Sequence, residues 1–248
     1  MKVVIFAGGR GTRLSELTER VPKPMVTVGG IPILMHIMDI YARQGHCEFI
    51  VCGGYRVKYI ASYFEQIGTR DSEGRYCLRS ISDKNIWVRV CDTGENVNTA
   101  TRLKAIRAFV GDEDFMLTYA DGLANVHTDE LIQRHKELKS IVTVTAVEKT
   151  DNFGIIETSD EKTVRAFHEK SVMRLINGGY MICQSLVFDY LPEEDLPFEI
   201  AVLPQLAKIA RLAMYKHNGF WKCMDSLMDK EQLDEIAESG NEPWFNSI

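Results

Sequence analysis

The residues best suited to chemistry lie within the first 25 positions, where a glycine-rich turn carries fixed positive charge. Lys2-Val3-Val4-Ile5-Phe6 is predicted to be a buried strand, because it is almost entirely apolar and rich in β-branched residues. It leads into Ala7-Gly8-Gly9-Arg10-Gly11-Thr12-Arg13, and Pro22-Lys23-Pro24-Met25 follows. Glycines let backbone N–H groups approach anionic oxygens, and Arg13 and Lys23 can neutralise charge that develops during phosphoryl transfer. The stretch therefore predicts a phosphate-binding turn.

The turn does not match the two common phosphate-binding fingerprints. Its spacing differs from the G-x-G-x-x-G of dinucleotide-binding folds, and no G-K-[ST] follows as in a P-loop. This argues against an NAD-dependent oxidoreductase. For the glycines alone, an ordinary strand-to-helix turn remains an alternative.

Two aspartates could hold a metal ion near a bound triphosphate. Asp121 follows the predicted strand 115–119, and Asp225 ends the segment Phe220-Trp221-Lys222-Cys223-Met224-Asp225. Mg²⁺ takes oxygen ligands, usually one or two protein carboxylates together with substrate phosphates. Each aspartate also has a plainer interpretation, Asp121 as a turn residue before a glycine and Asp225 as the N-cap of a helix over 226–238. From residue types alone, both interpretations stay open.

The elements that position these residues alternate between strands and helices over residues 1–150. Strands are predicted at 2–6, 47–53, 86–91, 115–119 and 141–147, and helices at 31–44, 57–67, 100–110 and 129–138. The alternation predicts an α/β fold with a Rossmann-like, mostly parallel sheet flanked by helices. Its ligand is expected at the carboxyl ends of the strands, where the glycine-rich turn and Asp121 fall.

The pattern changes on either side of this alternation. The polar segment 68–85 is predicted to be a loop. After residue 150 the expected strands are shorter, at 154–157, 163–168, 178–183 and 213–217, with helices at 200–212 and 226–238. This second part is expected to be a smaller, mixed α+β part that packs on the first part within one domain, 1–248.

Composition excludes several classes of function. The formal net charge of −6 argues against general nucleic-acid binding. No apolar run reaches the roughly 18 residues of a membrane span, and the chain opens without a signal peptide. The six cysteines form no C-x-x-C pair and are expected to be reduced thiols of a cytoplasmic protein without membrane partners.

The chain resembles the glucose-1-phosphate cytidylyltransferase branch of the sugar nucleotidyltransferases over nearly its whole length. The motifs that carry the resemblance, in chain order, are Gly8-Gly9-Arg10-Gly11-Thr12-Arg13-Leu14, Lys23-Pro24-Met25-Val26, Asp92-Thr93-Gly94, Arg102-Leu103-Lys104, Thr118-Tyr119-Ala120-Asp121-Gly122, Glu169-Lys170, Asn177-Gly178-Gly179-Tyr180 and Gly219-Phe220-Trp221 with Met224-Asp225. The resemblance implies the nucleotidyltransferase fold and a reaction of MgCTP with a sugar phosphate that gives a CDP-sugar and pyrophosphate. It also implies a role in supplying bacterial surface-polysaccharide precursors, and it allows a homo-oligomer.

The same resemblance implies the roles of individual residues. Residues 1–150 would form the nucleotide-binding part and 151–248 the acceptor-binding part. The implied nucleotide-binding residues are Phe6, Ala7, Gly8, Gly9, Arg10, Gly11, Thr12, Arg13, Arg102 and Ala120. The implied catalytic residues are Arg13, Lys23 and Asp121, and the implied Mg²⁺ ligands are Asp121 and Asp225. The implied acceptor-binding residues are Tyr119, Glu169, Lys170 and Asn177.

Several positions depart from the family pattern and keep alternatives open. Ala120 and Thr101 stand where the family has glycine, and Ser171 stands where it has proline after Glu169-Lys170. These changes leave the CTP side intact and alter the acceptor side, so a polyol phosphate, such as a hexitol or glycerol phosphate, is an alternative acceptor. A catalytically inactive nucleotide-binding regulator is an alternative of another class. By residue type alone, Glu169 and Lys170 could also be an exposed ion pair and Asn177 a turn residue.

Overall fold

A nine-stranded sheet forms the centre of the protein in the computed structural model, which describes residues 1–150, 155–168 and 173–246. The strands are β1 Lys2–Ala7, β2 Thr27–Val28, β3 Ile31–Pro32, β4 Glu48–Gly53, β5 Thr69–Arg70, β6 Tyr76–Arg79, β7 Asn85–Asp92, β8 Phe115–Tyr119, β9 Gly122–Ala124, β10 Val142–Thr150, β11 Ile155–Thr158, β12 Val164–His168, β13 Met173–Cys183, β14 Leu212–His217 and β15 Trp221–Cys223. The α-helices are α1 Ser15–Thr18, α2 Ile33–Arg43, α3 Val57–Ile67, α4 Thr99–Ala105, α5 Arg107–Val110, α6 Thr128–Leu138, α7 Phe198–Ala201, α8 Leu203–Lys208 and α9 Leu227–Glu238. Short 3-10 helices occur at Thr12–Leu14, Lys23–Met25, Ser185–Tyr190 and Pro243–Phe245.

The order of strands in the sheet is β14-β10-β13-β8-β1-β4-β7-β6-β5. β8, β1, β4 and β7 are parallel neighbours, as are β10 and β14, whereas β13 and β6 are antiparallel to both of their neighbours. Only β13 and β6 therefore run against the common direction of the sheet. The predicted α/β fold with a mostly parallel sheet is confirmed.

The central strand β1 is buried on both faces, as expected for a parallel sheet covered by helices. Val3 and Ile5 pack into a core that includes α2, whereas Val4 and Phe6 pack into a core that includes α4 and α5. Because successive side chains of a strand point to opposite faces, β1 anchors both cores. Its carboxyl end is therefore rigidly placed.

The carboxyl ends of four strands meet at one edge of the sheet. Ala7 of β1 lies beside Gly53 of β4, which in turn lies beside Asp92 of β7, and Phe6 lies beside Tyr119 of β8. The glycine-rich turn, the loop after β7 and Asp121 all follow from these ends. This edge is where open parallel sheets place their ligands.

Several predicted elements were wrong in detail. Segment 68–85 is not a simple loop, because β5 and β6 form an antiparallel hairpin in it that extends the sheet beyond β7. The predicted helix 100–110 is interrupted at Ile106, between α4 and α5. The predicted helix 200–212 is instead α7 and α8, and Leu212 already belongs to β14.

The second part of the chain contributes to the same sheet as the first. β13 pairs with β8 and β10, and β14 pairs with β10. The antiparallel hairpin of β11 and β12 stands outside the main sheet; Gly154, predicted to start its first strand, lies outside the described residues. Within the described ranges, no helix is both long and apolar enough to cross a lipid bilayer.

Candidate active site

Two adjoining cavities open at the carboxyl edge of the sheet and share Tyr119 and Asp121. The first has a volume of about 370 Å³ and the second about 240 Å³. The predicted residues that line the first cavity are Phe6, Ala7, Gly8, Gly9, Gly11, Lys23, Arg102, Tyr119, Ala120 and Asp121. Asn177 and Asp225 line the second. Most of the predicted site residues thus converge on this edge.

Lys23 lines the first cavity and bonds to one aspartate that lines both cavities and to another that lines the second. Its Nζ donates hydrogen bonds to Asp121 Oδ2 at 2.8 Å and to Asp225 Oδ1 at 2.9 Å. Burial by itself lowers the pKa of Lys23, but the charges and hydrogen bonds of the two carboxylates outweigh burial, so the pKa is raised above 10.5. The ammonium group therefore stays charged at neutral pH and offsets the negative charge of the two aspartates.

A short two-stranded ladder brings the two aspartates together. β9 pairs with β15, so that Cys223 lies beside Gly122, and the Met224 N–H donates to the Asp121 carbonyl at 2.8 Å. Asp225 follows directly and precedes α9. The N-cap of α9 is Ser226, which forms a capping box with Asp229. The interpretation of Asp225 as the helix cap is therefore wrong, and its carboxylate is directed to Lys23.

Three side chains at this point offer ligand atoms to a cation. One atom each from Asp121, Asp225 and Cys223 lie within 4.8 Å of one another. Burial first, and then the two neighbouring carboxylates, raise the pKa of the Cys223 thiol well above its usual value. The oxygen atoms of the two aspartates are the hard ligands that Mg²⁺ prefers.

The glycine-rich turn presents its backbone to the first cavity. Gly11 has a φ of +63°, and a Cβ there would lie 2.9 Å from the Thr18 side chain, so the position requires glycine. Arg10 is directed away and pairs with Glu95 at 2.9 Å on the surface. Thr12 lies in the 3-10 turn beyond the lining residues, and the side chain of Arg13 lies outside the described part of the chain.

Arg102 is buried beneath the turn and holds it in place. Its guanidinium donates to four backbone carbonyls and one hydroxyl, namely Gly8 O at 3.1 Å, Gly53 O at 3.2 Å, Gly94 O at 2.7 Å, Glu95 O at 3.3 Å and Thr93 Oγ1 at 2.8 Å. These acceptors come from the ends of β1, β4 and β7. Arg102 is only 4% exposed, and this burial lowers the pKa of its guanidinium. Arg102 thus lines the first cavity and connects three loops through its hydrogen bonds.

The second cavity is built from β13, β15 and the end of β8. Asn177 Oδ1 accepts from the Gly179 N–H at 2.9 Å, and Trp221 Nε1 donates to the Gly178 carbonyl at 2.8 Å. Trp221 lines the cavity with an aromatic face that was not among the predicted site residues. Glu169 and Lys170, predicted to bind the acceptor, lie outside the described residues.

Glu199 is a further lining residue that was not predicted. It comes from α7, and its carboxylate accepts from the Tyr119 hydroxyl and, at 2.8 Å, from Thr99 Oγ1. Its partners lie 80 and 100 positions away in the sequence. No local pattern indicates such a network.

Comparison with known sequences places the chain among nucleotide-transferring enzymes. The nucleotidyl transferase family model matches residues 2–225. The probable glucose-1-phosphate cytidylyltransferase of Bacillus subtilis (strain 168) is 37% identical over 254 residues, which cover 98% of this chain and 99% of that protein. The glucose-1-phosphate cytidylyltransferase of Salmonella typhi is also 37% identical, with 98% of each chain covered.

Solved structures share the fold at lower identity. HddC from Yersinia pseudotuberculosis superposes with a TM-score of 0.71 at 22% identity, over 95% of this chain and 99% of that one. UTP-bound UGPase from Acinetobacter baumannii gives a TM-score of 0.73 at 14% identity, over 98% and 95% of the two chains. These likenesses bear on the fold alone.

Proposed function

The chain belongs to the nucleotidyl transferase family, and from this premise we propose that it is a cytidylyltransferase acting on CTP and a sugar 1-phosphate. A phosphate oxygen of the acceptor attacks the α-phosphorus of CTP, the bond from that phosphorus to the bridging oxygen of the β-phosphate breaks, and pyrophosphate leaves. The products are a CDP-sugar and pyrophosphate. The identity to two relatives named as glucose-1-phosphate cytidylyltransferases, over nearly the full chain, supports CTP and glucose 1-phosphate as substrates.

The observation that carries the proposal is that Lys23 lines the first cavity and bonds to Asp121, which lines both cavities, and to Asp225, which lines the second. The nucleotide would occupy the first cavity and the acceptor the second, so that the two phosphates meet beside Lys23 and Asp121. Attack at phosphorus increases negative charge on the non-bridging oxygens, and a half-buried ammonium stabilises that charge. Neither substrate needs a covalent bond to the protein.

We assign the remaining nucleotide contacts by the same placement. The backbone of Phe6 to Arg10 would cradle base and sugar, with Ala120 opposite, and Gly11, Thr12 and Arg13 would meet the triphosphate. Arg102 would act on the nucleotide by holding the turn and the loops after β4 and β7. Residues 1–150 would thus form most of the nucleotide-binding part.

The acceptor-binding part would be built largely from residues 151–248. Asn177 and Trp221 line the second cavity, and Tyr119 lies between the two cavities. We propose that Glu169 and Lys170 contribute further contacts to the acceptor. We place the enzyme in the cytoplasm, where CTP is made, as a supplier of activated sugar for surface polysaccharide.

The residues present fit a divalent cation of the Mg²⁺ type. Asp121 and Asp225 would hold it, since two carboxylates converging near a triphosphate are the protein ligands that Mg²⁺ commonly uses. When bound, Mg²⁺ supplies positive charge to the phosphates. Lys23, whose ammonium group the two aspartates hold in the structure, would supply positive charge to the reacting phosphate.

We expect Asp225→Asn to raise the Mg²⁺ concentration needed for half-maximal activity by about tenfold or more, because one of the two charged ligands is lost. The melting temperature is expected to change little, since Ser226 and not Asp225 caps α9. Pyrophosphate release titrated with Mg²⁺, together with thermal unfolding, measures both effects.

Asp229→Asn is the matched control for this prediction. It removes the same charge four residues away and weakens the capping box, so it is expected to cost up to about 1 kcal/mol of stability and to leave the Mg²⁺ requirement unchanged. If Asp225→Asn instead behaves like Asp229→Asn in both measurements, Asp225 has only a structural role.

Pyrophosphate release from MgCTP against a panel of acceptors tests the proposed function. The panel holds glucose 1-phosphate, other hexose 1-phosphates, hexitol phosphates and glycerol phosphate, with UTP, dTTP, ATP and GTP as nucleotide controls. Activity with CTP and glucose 1-phosphate supports the proposal, and activity only with a polyol phosphate corrects the acceptor. Binding of nucleotide without turnover of any acceptor would favour an inactive regulator.

A further inference from the structure

The lining of the first cavity divides into two groups of residues. Gly11 and Lys23 supply a backbone N–H group and the positive charge that suit a triphosphate. A second group lies around the start of α4 and the start of α7, where Val97 and Pro197 line the cavity with the polar Thr99 and Glu199, and Phe6 of β1 lines the same cavity. If the triphosphate occupies the first group, this second group is available to the nucleoside.

Glu199 presents a fixed acceptor in this second group. The Phe198 N–H donates to Thr99 Oγ1 at 2.7 Å, so the Thr99 hydroxyl is free to direct its own proton to Glu199. The Tyr119 hydroxyl donates to the other carboxylate oxygen. Both partners are neutral hydroxyls, and each carboxylate oxygen keeps a further lone pair. The network therefore fixes the carboxylate without removing its charge.

The other polar side chains around the nucleoside are engaged elsewhere. Arg102 donates to five oxygens of the surrounding loops, and Asn98 Nδ2 donates to Asp195 on the surface at 3.0 Å. Two carboxylates line the first cavity in the described part of the chain, and Asp121 is bonded to Lys23, so Glu199 is the charged acceptor left for a base.

We propose that Glu199 selects cytosine, by accepting a hydrogen bond from its exocyclic 4-amino group. Uracil and thymine carry a carbonyl oxygen at that position, and two acceptors facing each other repel. The inference rests on the proposed use of CTP and names the residue that excludes UTP and dTTP. Ribose hydroxyls can also donate hydrogen bonds to a carboxylate. Recognition of the ribose by Glu199 is therefore the competing hypothesis.

Equilibrium binding of MgCTP, MgUTP and MgdCTP, measured by calorimetry on wild type and Glu199→Gln, tests the inference without any acceptor. A glutamine can turn its NH₂ to the base, so the ratio of CTP to UTP affinity is expected to fall by about tenfold or more. Glu199→Asp keeps the charge but shortens the side chain, which moves the carboxylate away from the base. It is expected to lower the affinity for CTP without raising the affinity for UTP. Glu193→Gln, on the same segment but paired with Lys104 on the surface, is the matched control and is expected to keep the wild-type ratio.

Tyr119→Phe shows whether the selection of the base depends on the Glu199 carboxylate itself or on its hydrogen bond with Tyr119. It removes one partner of Glu199 and leaves the carboxylate, so the ratio of CTP to UTP affinity is expected to persist. If Glu199→Gln leaves the ratio of CTP to UTP affinity unchanged, including by equal losses of affinity for both nucleotides, the inference is overturned. A change confined to the ratio of CTP to dCTP would overturn it in favour of the ribose. The proposed function fails separately, when CTP binds selectively but no acceptor is converted.

Discussion

Replacing Lys23 with alanine is expected to lower kcat by about 10²–10³-fold while CTP affinity falls by less than about tenfold. Lys23 lines the first cavity, and its ammonium group lies 2.8 Å from the carboxylate of Asp121 and 2.9 Å from that of Asp225. Its charge is needed most when negative charge increases on the reacting phosphate, so the loss falls mainly on the transition state. Single-turnover pyrophosphate release and nucleotide binding by calorimetry separate the two quantities.

Metal binding gives this prediction a second readout. Without Lys23, the carboxylates of Asp121 and Asp225 lose their internal counter-charge, so Mn²⁺ is expected to bind the nucleotide-free variant more tightly than wild type in an electron paramagnetic resonance titration. Lys104→Ala, which removes a surface lysine paired with Glu193, is the control and is expected to match wild type in both assays. An unchanged kcat in Lys23→Ala would exclude the proposed role.

Arg102→Met is expected to destabilise the protein by about 3 kcal/mol or more, because five oxygen acceptors lose a buried donor at once. For a chain of this size that corresponds to a fall in melting temperature of about 6–12 °C. Nucleotide affinity is also expected to fall, because the glycine-rich turn and the loops after β4 and β7 lose the side chain that hydrogen-bonds to all of them. Thermal unfolding and CTP binding measure the two effects.

Two further variants show whether Arg102 acts through the loops. Gly8→Ala would place a Cβ 2.2 Å from the Arg102 guanidinium and so displace it. This variant is therefore also expected to lower both stability and nucleotide affinity. Arg107→Met, at an exposed arginine 3.7 Å from Asp189, is expected to leave both unchanged. If Arg102→Met loses nucleotide affinity at an unchanged melting temperature, Arg102 contacts the nucleotide directly.

Local sequence patterns predicted correctly those strands and helices whose apolar residues follow a clear periodicity along the chain. The strand at 115–119 and the helix at 57–67 have the predicted bounds, because each is a continuous apolar or amphipathic stretch with clear ends. The hairpin of β5 and β6 was missed, since its strands are only two and four residues long in a polar segment and depend on the pairing of β6 with β7. The break in the predicted helix 200–212 had a signal in Pro204, which lies in the first turn of α8.

The candidate site shows the same division. The glycine-rich turn and Lys23 are adjacent in sequence and were predicted together, as was Asp121 at the end of a strand. The number of bonds made by Arg102 and the network of Glu199 depend on partners brought together by the fold. Sequence indicated which residues could bind phosphate, whereas the inferred basis for choosing among bases emerges only from tertiary contacts.

The ladder of β9 and β15 determines when, during synthesis, the centre becomes complete. Lys23 and Asp225 are separated by 202 positions, and Asp225 reaches Lys23 only after β15 has paired with β9. A ribosome that has translated the first half of the chain has already produced the glycine-rich turn, Lys23 and Asp121, but not the second carboxylate. An unfinished chain, or one clipped before Asp225, leaves Lys23 with a single aspartate. Catalytic competence is therefore expected only in chains that have been synthesised through Asp225 and in which β15 has paired with β9.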